Sequence, residues 1–153
     1  MNADWNVLVA NGKTLNVYGA LNSSGRTITV GGEGFSGTLV LNNAANASMT
    51  AEWVITSGST VRCMNNSALG SGLVTLDGGT LDFNSQTIGS AITLNMSGTG
   101  TLQNVTVDGA ILSYTSSSGN DGITASNTTW TSGKIDIGRL LQGFSAEGST
   151  TVG

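Results

Sequence analysis

The chain has 153 residues, enough for one domain, and carries 23 Gly, no Pro, no His and a single Cys. Gly, Thr, Ser and Asn together make up about half of it, and only 9% of its residues are charged, against a usual value of about 25%. Few charges and few strong helix formers exclude a helical bundle or coiled coil. No apolar run reaches the ~17–25 residues of a membrane-spanning helix. Five cations on a chain of net charge −4 argue against nucleic acid and against an anionic membrane as partners.

In chain order, the apolar residues fall into short alternating runs. They occur at residues 5–9 (WNVLV), 14–18 (TLNVY), 26–30 (RTITV), 37–41 (GTLVL), 52–56 (EWVIT) and 60–64 (TVRCM). Then come 73–76 (LVTL), 80–83 (TLDF), 91–96 (AITLNM), 100–107 (GTLQNVTV), 110–114 (AILSY), 128–131 (TTWT) and 134–137 (KIDI). Period-two runs rich in β-branched residues predict strands, about thirteen here. NG, SSG, GGEG, SGS, DGG and similar turn sequences separate them.

Strands at this spacing also suit a sandwich or barrel, but three features predict a solenoid. Asn22, Asn42–Asn43, Asn65–Asn66, Asn84, Asn104 and Asn127 recur every 18–23 residues, each beside a turn, and a fixed period of 20–50 residues is the signature of stacked repeats. Strands paired on both sides tolerate Thr, Ser and Asn facing out and need Val, Leu and Ile facing in. The absence of Pro suits uninterrupted ladders, because Pro removes a donor from them. Asn stacked at a corner is expected to hydrogen-bond along the stack.

Residues 67–83 read SALGSGLVTLDGGTLDF. Leu69 is expected to anchor a corner inward, with Gly70 and Gly72 as permissive backbone. Asp77, Gly78 and Gly79 are expected to turn the chain between two strands. This stretch resembles the autotransporter-associated β-strand repeat of bacterial secreted passenger domains. The match is carried by Leu69-Gly70-Ser71-Gly72 and by Leu76-Asp77-Gly78-Gly79-Thr80-Leu81-Asp82-Phe83, and residues 98–107 and 31–41 resemble looser copies. The resemblance implies a right-handed parallel β-helix, and the asparagine spacing divides it into about 7 coils of roughly 18–23 residues. It implies one solenoid segment over residues 1–153 of a longer passenger, exported across the outer membrane to the cell surface or beyond. The opening MNADWNVLVANG has neither a basic region nor a long apolar core of a signal peptide.

The chemistry-bearing groups are few. Without His there is no Ser-His-Asp set, no Cys-His set and no His-bearing zinc site. Cys63 can form no internal disulfide and is expected to be a small core residue. The carboxylates are Asp4, Glu33, Glu52, Asp77, Asp82, Asp108, Asp121, Asp136 and Glu147. Asp77, Asp108 and Asp121 precede Gly and read as turn-capping residues, while Asp82 and Asp136 read as strand residues facing solvent. No catalytic, cofactor-binding or metal-binding residue is assigned, and no enzyme activity is expected. Thr27-Ile28-Thr29, Thr99-Gly100-Thr101 and Thr129-Trp130-Thr131 do not repeat once per coil and read as ordinary outward threonines. The aromatics are expected to stack in the coil interior, with Trp130 and Tyr114, beside the polar loop at residues 115–122, the best placed to touch glycan.

A structural or adhesive role follows, with host glycan or surface protein as the expected partner and self-association through open solenoid ends. Residues 137–144 (IGRLLQGF) are expected to cap the C-terminal end through Leu140 and Leu141. The rival readings are a polysaccharide-binding or polysaccharide-active β-helix, and a phage tail-fibre segment.

Overall fold

The computed structural model describes residues 3–42, 46–89, 93–114, 122–137, 144–147 and 151–152, with side chains over 3–42, 46–89, 96–111 and 122–132. Eleven strands follow in order: β1 (Trp5–Val7), β2 (Thr14–Val17), β3 (Thr27–Val30), β4 (Thr38–Leu41), β5 (Glu52–Thr56), β6 (Thr60–Cys63), β7 (Leu73–Gly89), β8 (Thr93–Tyr114), β9 (Gly122–Ile137), β10 (Phe144–Glu147) and β11 (Thr151–Val152). Every strand pairing is parallel and joins one coil to the next. The result is an all-β parallel solenoid of about 5 turns.

Alternation places one residue in two inside, and register stacks the inside residues into columns. On the first face the column is Trp5, Ile28, Trp53, Val74, Met96. On the second it is Leu15, Leu39, Val61, Leu81, Leu102, Ala125. Each fully buried aliphatic side chain contributes about 1.5–3 kcal/mol relative to exposure. A third strand face begins only at Gln86, where Ile88, Val107 and Trp130 stack. In earlier coils a loop fills that side, tied across coils by buried Asn46. Its Oδ1 accepts from the Leu21 N–H at 2.8 Å, and its Nδ2 donates to the Ala68 carbonyl at 2.9 Å. Trp53 Nε1 likewise donates to the Leu69 carbonyl at 3.0 Å.

The structure departs from the sequence expectations in four ways. There are about 5 turns where about 7 were expected. The offset between register partners runs from 19 residues (Gln86 and Val105) to 25 (Thr27 and Glu52), because early coils carry loop excursions. The Asp77-Gly78-Gly79 corner does not end a strand. β7 runs through it, with a bulge opposite Thr56. A Cβ on Gly79 would strike the Ile55 carbonyl oxygen of the coil below, so close approach between coils explains the glycine. In the first-face column the aromatics Trp5 and Trp53 alternate with the aliphatics Ile28 and Val74 and do not stack on each other.

The fourth departure concerns asparagine; the Thr27-Ile28-Thr29 pair does not repeat in the next coil, as expected, although a different threonine pattern is present. Single threonines do recur once per coil: Thr14, Thr38, Thr60, Thr80, Thr101 and Thr124 stand in register along the second face. The asparagine period holds only in part. Asn84, Asn104 and Asn127 share a left-handed corner conformation, with φ of 49°, 54° and 51°. Farther toward the N-terminus, Met64 follows Cys63 as Asn42 follows Leu41, so Asn65 is offset by one place. Leu69 is buried as expected. The proposed cap falls almost wholly outside the described residues, which include only Ile137 and Phe144 of it, and so does the polar loop apart from Gly122.

The end coil tests the column picture. Leu15 is 44% exposed and Leu81, in the same column, is 0% exposed. Leu81→Ala is expected to cost about 2–5 kcal/mol and Leu15→Ala less than about 1 kcal/mol. Urea unfolding of both variants measures the difference. Equal losses would contradict the difference in burial between Leu15 and Leu81.

Candidate functional site

Among the described residues, two places concentrate polar chemistry. The first is Asp82, between inward Leu81 and Phe83 on the second face. Its side chain points outward yet is 1% exposed, which corrects the expectation that it faces solvent. Neighbouring coils cover it. Arg62 Nε, one coil below, donates to Oδ2 at 2.9 Å. The Asn84 N–H and Asn104 Nδ2, the latter one coil above, donate to Oδ1 at 2.8 and 3.0 Å. Asn127 Nδ2 donates onward to Asn104 Oδ1 at 3.4 Å. Burial pushes the Asp82 carboxyl up, but hydrogen bonds from Asn104, Asn84, Arg62 and Gln103 outweigh it and hold the group below the ordinary carboxylate value. Such a carboxylate is a fixed acceptor, and the cluster is a clamp between three coils.

Cys63 sits one residue from Arg62 and is buried. Burial pushes its thiol strongly up, and the Asp82 charge adds to this. The thiolate needed for nucleophilic chemistry is therefore suppressed, consistent with a core role.

The second place is the corner between the first and second faces. Residues 31–36 leave the coil as a small hairpin closed by an antiparallel bridge between Gly32 and Phe35. Its base is tied to the coil below: the Gly31 N–H donates to the Val7 carbonyl at 2.9 Å, and the Gly37 N–H to the Val9 carbonyl at 3.0 Å. The Ser36 N–H and Oγ donate to Asn11 Oδ1 at 2.8 and 2.9 Å. From the coil above, Ser59 Oγ donates to the Phe35 carbonyl at 3.2 Å. Gly31 has φ of 91°, and a Cβ there would run into Ser59 and Thr56. The hairpin is thus held in one shape and shields an open cleft of about 530 Å³. Asn11, Glu33, Phe35, Ser36, Ser57 and Asp77 line it.

The structure scatters most of the other carboxylates. Asp4 accepts from the Thr27 N–H at 3.0 Å, and Asp108 accepts from Ser132 Oγ at 2.9 Å, so both serve coil-to-coil bonds. Glu52 is exposed at the start of β5. Glu33 and Asp77, by contrast, line one concavity together. Asp121 and the side chains of Asp136 and Glu147 lie outside the described residues. Among the described residues, no group of three or more acidic or thiol side chains is placed to hold a metal ion.

The aromatic expectation holds in part: Trp53 and Phe83 are buried in the interior, but the candidates for glycan contact change. Trp130 is buried, whereas Tyr18 and Phe35 are exposed. Tyr114 has no described side chain. The sequence signal for Phe35 was present in GGEGFSG: a lone aromatic in a glycine-rich excursion has no inward partner by alternation.

Two measurements check these assignments. Asp82→Asn is expected to cost about 1–3 kcal/mol near pH 7. A lowered carboxyl contributes stability above its ordinary value of 3.8 and loses it as pH falls through the folded value. The gap between parent and variant should therefore narrow in urea unfolding below about pH 4. Cys63 should resist an aromatic disulfide reagent in native buffer and react with one equivalent in denaturant. Rapid native labelling would contradict its burial.

Comparisons of the chain with protein-family models, curated proteins and solved structures found no match.

Proposed function

We propose that the chain is a rigid scaffold segment of a secreted or surface-displayed bacterial protein, a spacer that holds other regions away from the cell. The observation that carries this reading is the use made of its reactive groups. Asp4, Asp82, Asp108 and Asn46 bond one coil to another, and Cys63 is sealed in the core. A chain that devotes these groups to stacking has a mechanical role as its simplest function. Parallel solenoids suit this role because each coil rests on its neighbours and length adds without a change of design. The exported setting rests on the resemblance of residues 67–83 to the passenger-domain repeat.

Antibodies to the chain, blotted against fractionated cells, test the proposal. The expected band lies in the outer-membrane or culture-supernatant fraction and is far larger than 15.4 kDa. A cytoplasmic band of 15.4 kDa would overturn it.

A further inference from the structure

We propose that the cleft beside the 31–36 hairpin is a binding site for a neutral oligosaccharide. The proposal goes beyond the scaffold reading and does not depend on it.

The cleft takes residues from four successive coils: Asn11, then Glu33, Phe35 and Ser36, then Thr56 and Ser57, then Asp77. Three inter-strand spacings of about 4.8 Å make it roughly 14 Å long, the scale of a short oligosaccharide lying along the solenoid axis. Phe35 is a large apolar side chain left exposed, and it stands on the hairpin wall. A sugar ring has an apolar C–H face, which an aromatic ring covers, and a rim of hydroxyls, which needs acceptors and donors. The carboxylates of Glu33 and Asp77, the hydroxyls of Ser36, Thr56 and Ser57 and the Asn11 amide supply that rim. Asn11 Oδ1 already accepts from Ser36, so its amide group is oriented before any ligand arrives.

Charge sets the class of sugar. Two carboxylates and no Lys or Arg line the cleft. Uronic acids and sulfated glycans meet like charge there, while uncharged sugars do not. Preorganisation also favours binding. The hairpin is tied at Gly31, Phe35, Ser36 and Gly37, so little ordering remains to oppose association.

The test is electrophoresis of the full chain through native gels containing a soluble neutral polysaccharide (hydroxyethylcellulose, dextran or glucomannan) or polygalacturonate. At least one neutral polymer is expected to retard the parent and polygalacturonate is not. Phe35→Ala should weaken retardation about tenfold, and Glu33→Gln and Asp77→Asn severalfold. Thr106→Val, on the third face, should run as the parent does. All four changes are on the surface, and circular dichroism melting confirms that each variant folds. Absence of retardation by every neutral polymer would overturn the proposal. So would retention of binding in Phe35→Ala together with Glu33→Gln, or a preference for polygalacturonate.

Discussion

Everything in this molecule depends on parallel backbone pairing held in register from coil to coil. Parallel strands give evenly spaced hydrogen bonds, and a strand with neighbours on both sides exposes no edge. That condition explains the composition. Thr and Ser can cover the outside because the backbone, not charge pairing, binds the coils. The inside needs only enough Val, Leu, Ile and aromatic volume to fill a narrow interior, as in the columns through Trp53 and Leu81.

Polar side chains refine this scheme where backbone pairing stops. At corners the backbone bends and its groups need other partners. Asn46 and Asn104 occupy such places, Asp82 is the last paired residue before one, and all three reach one coil up or down. Asp82 is the extreme case, an outward side chain made interior by its neighbours above and below. The same corner logic yields the 31–36 hairpin, since a chain already held on both sides can spare a few residues for an excursion.

Much of the fold was legible in the sequence. Period-two runs located β1 to β6 to within about a residue or two at each end, and the Gly-Ser-Gly and Asp-Gly-Gly stretches marked real corners. The later coils were legible only in part. Residues 86–89 (QTIG), on the third face, and 122–126 (GITAS), on the second, are too short or too polar to stand out from turns. The threonine column escaped because coil lengths vary, so a fixed period misses it. The Asp82 clamp was hidden for a related reason: burial there comes from residues about twenty positions away on either side, which local alternation cannot report. The cleft was half visible, with Glu33 and Phe35 set in glycines, but its pairing with Asp77 needed the stacking itself.

The uneven coil lengths also bear on how the chain finds its own alignment. A solenoid of identical repeats has many near-equivalent pairings, because any coil can rest on any other after a slip of one whole turn. Here a slip of one turn would set the 25-residue coil between Ile28 and Trp53 where the 21-residue coil between Trp53 and Val74 belongs. It would also move the glycine of a tight corner away from the carbonyl that needs it, and place Arg62 beyond reach of Asp82. Variation that looks like imperfect repetition thus works as an address. It separates the native pairing in energy from its shifted competitors and lets a low-complexity sequence specify one structure.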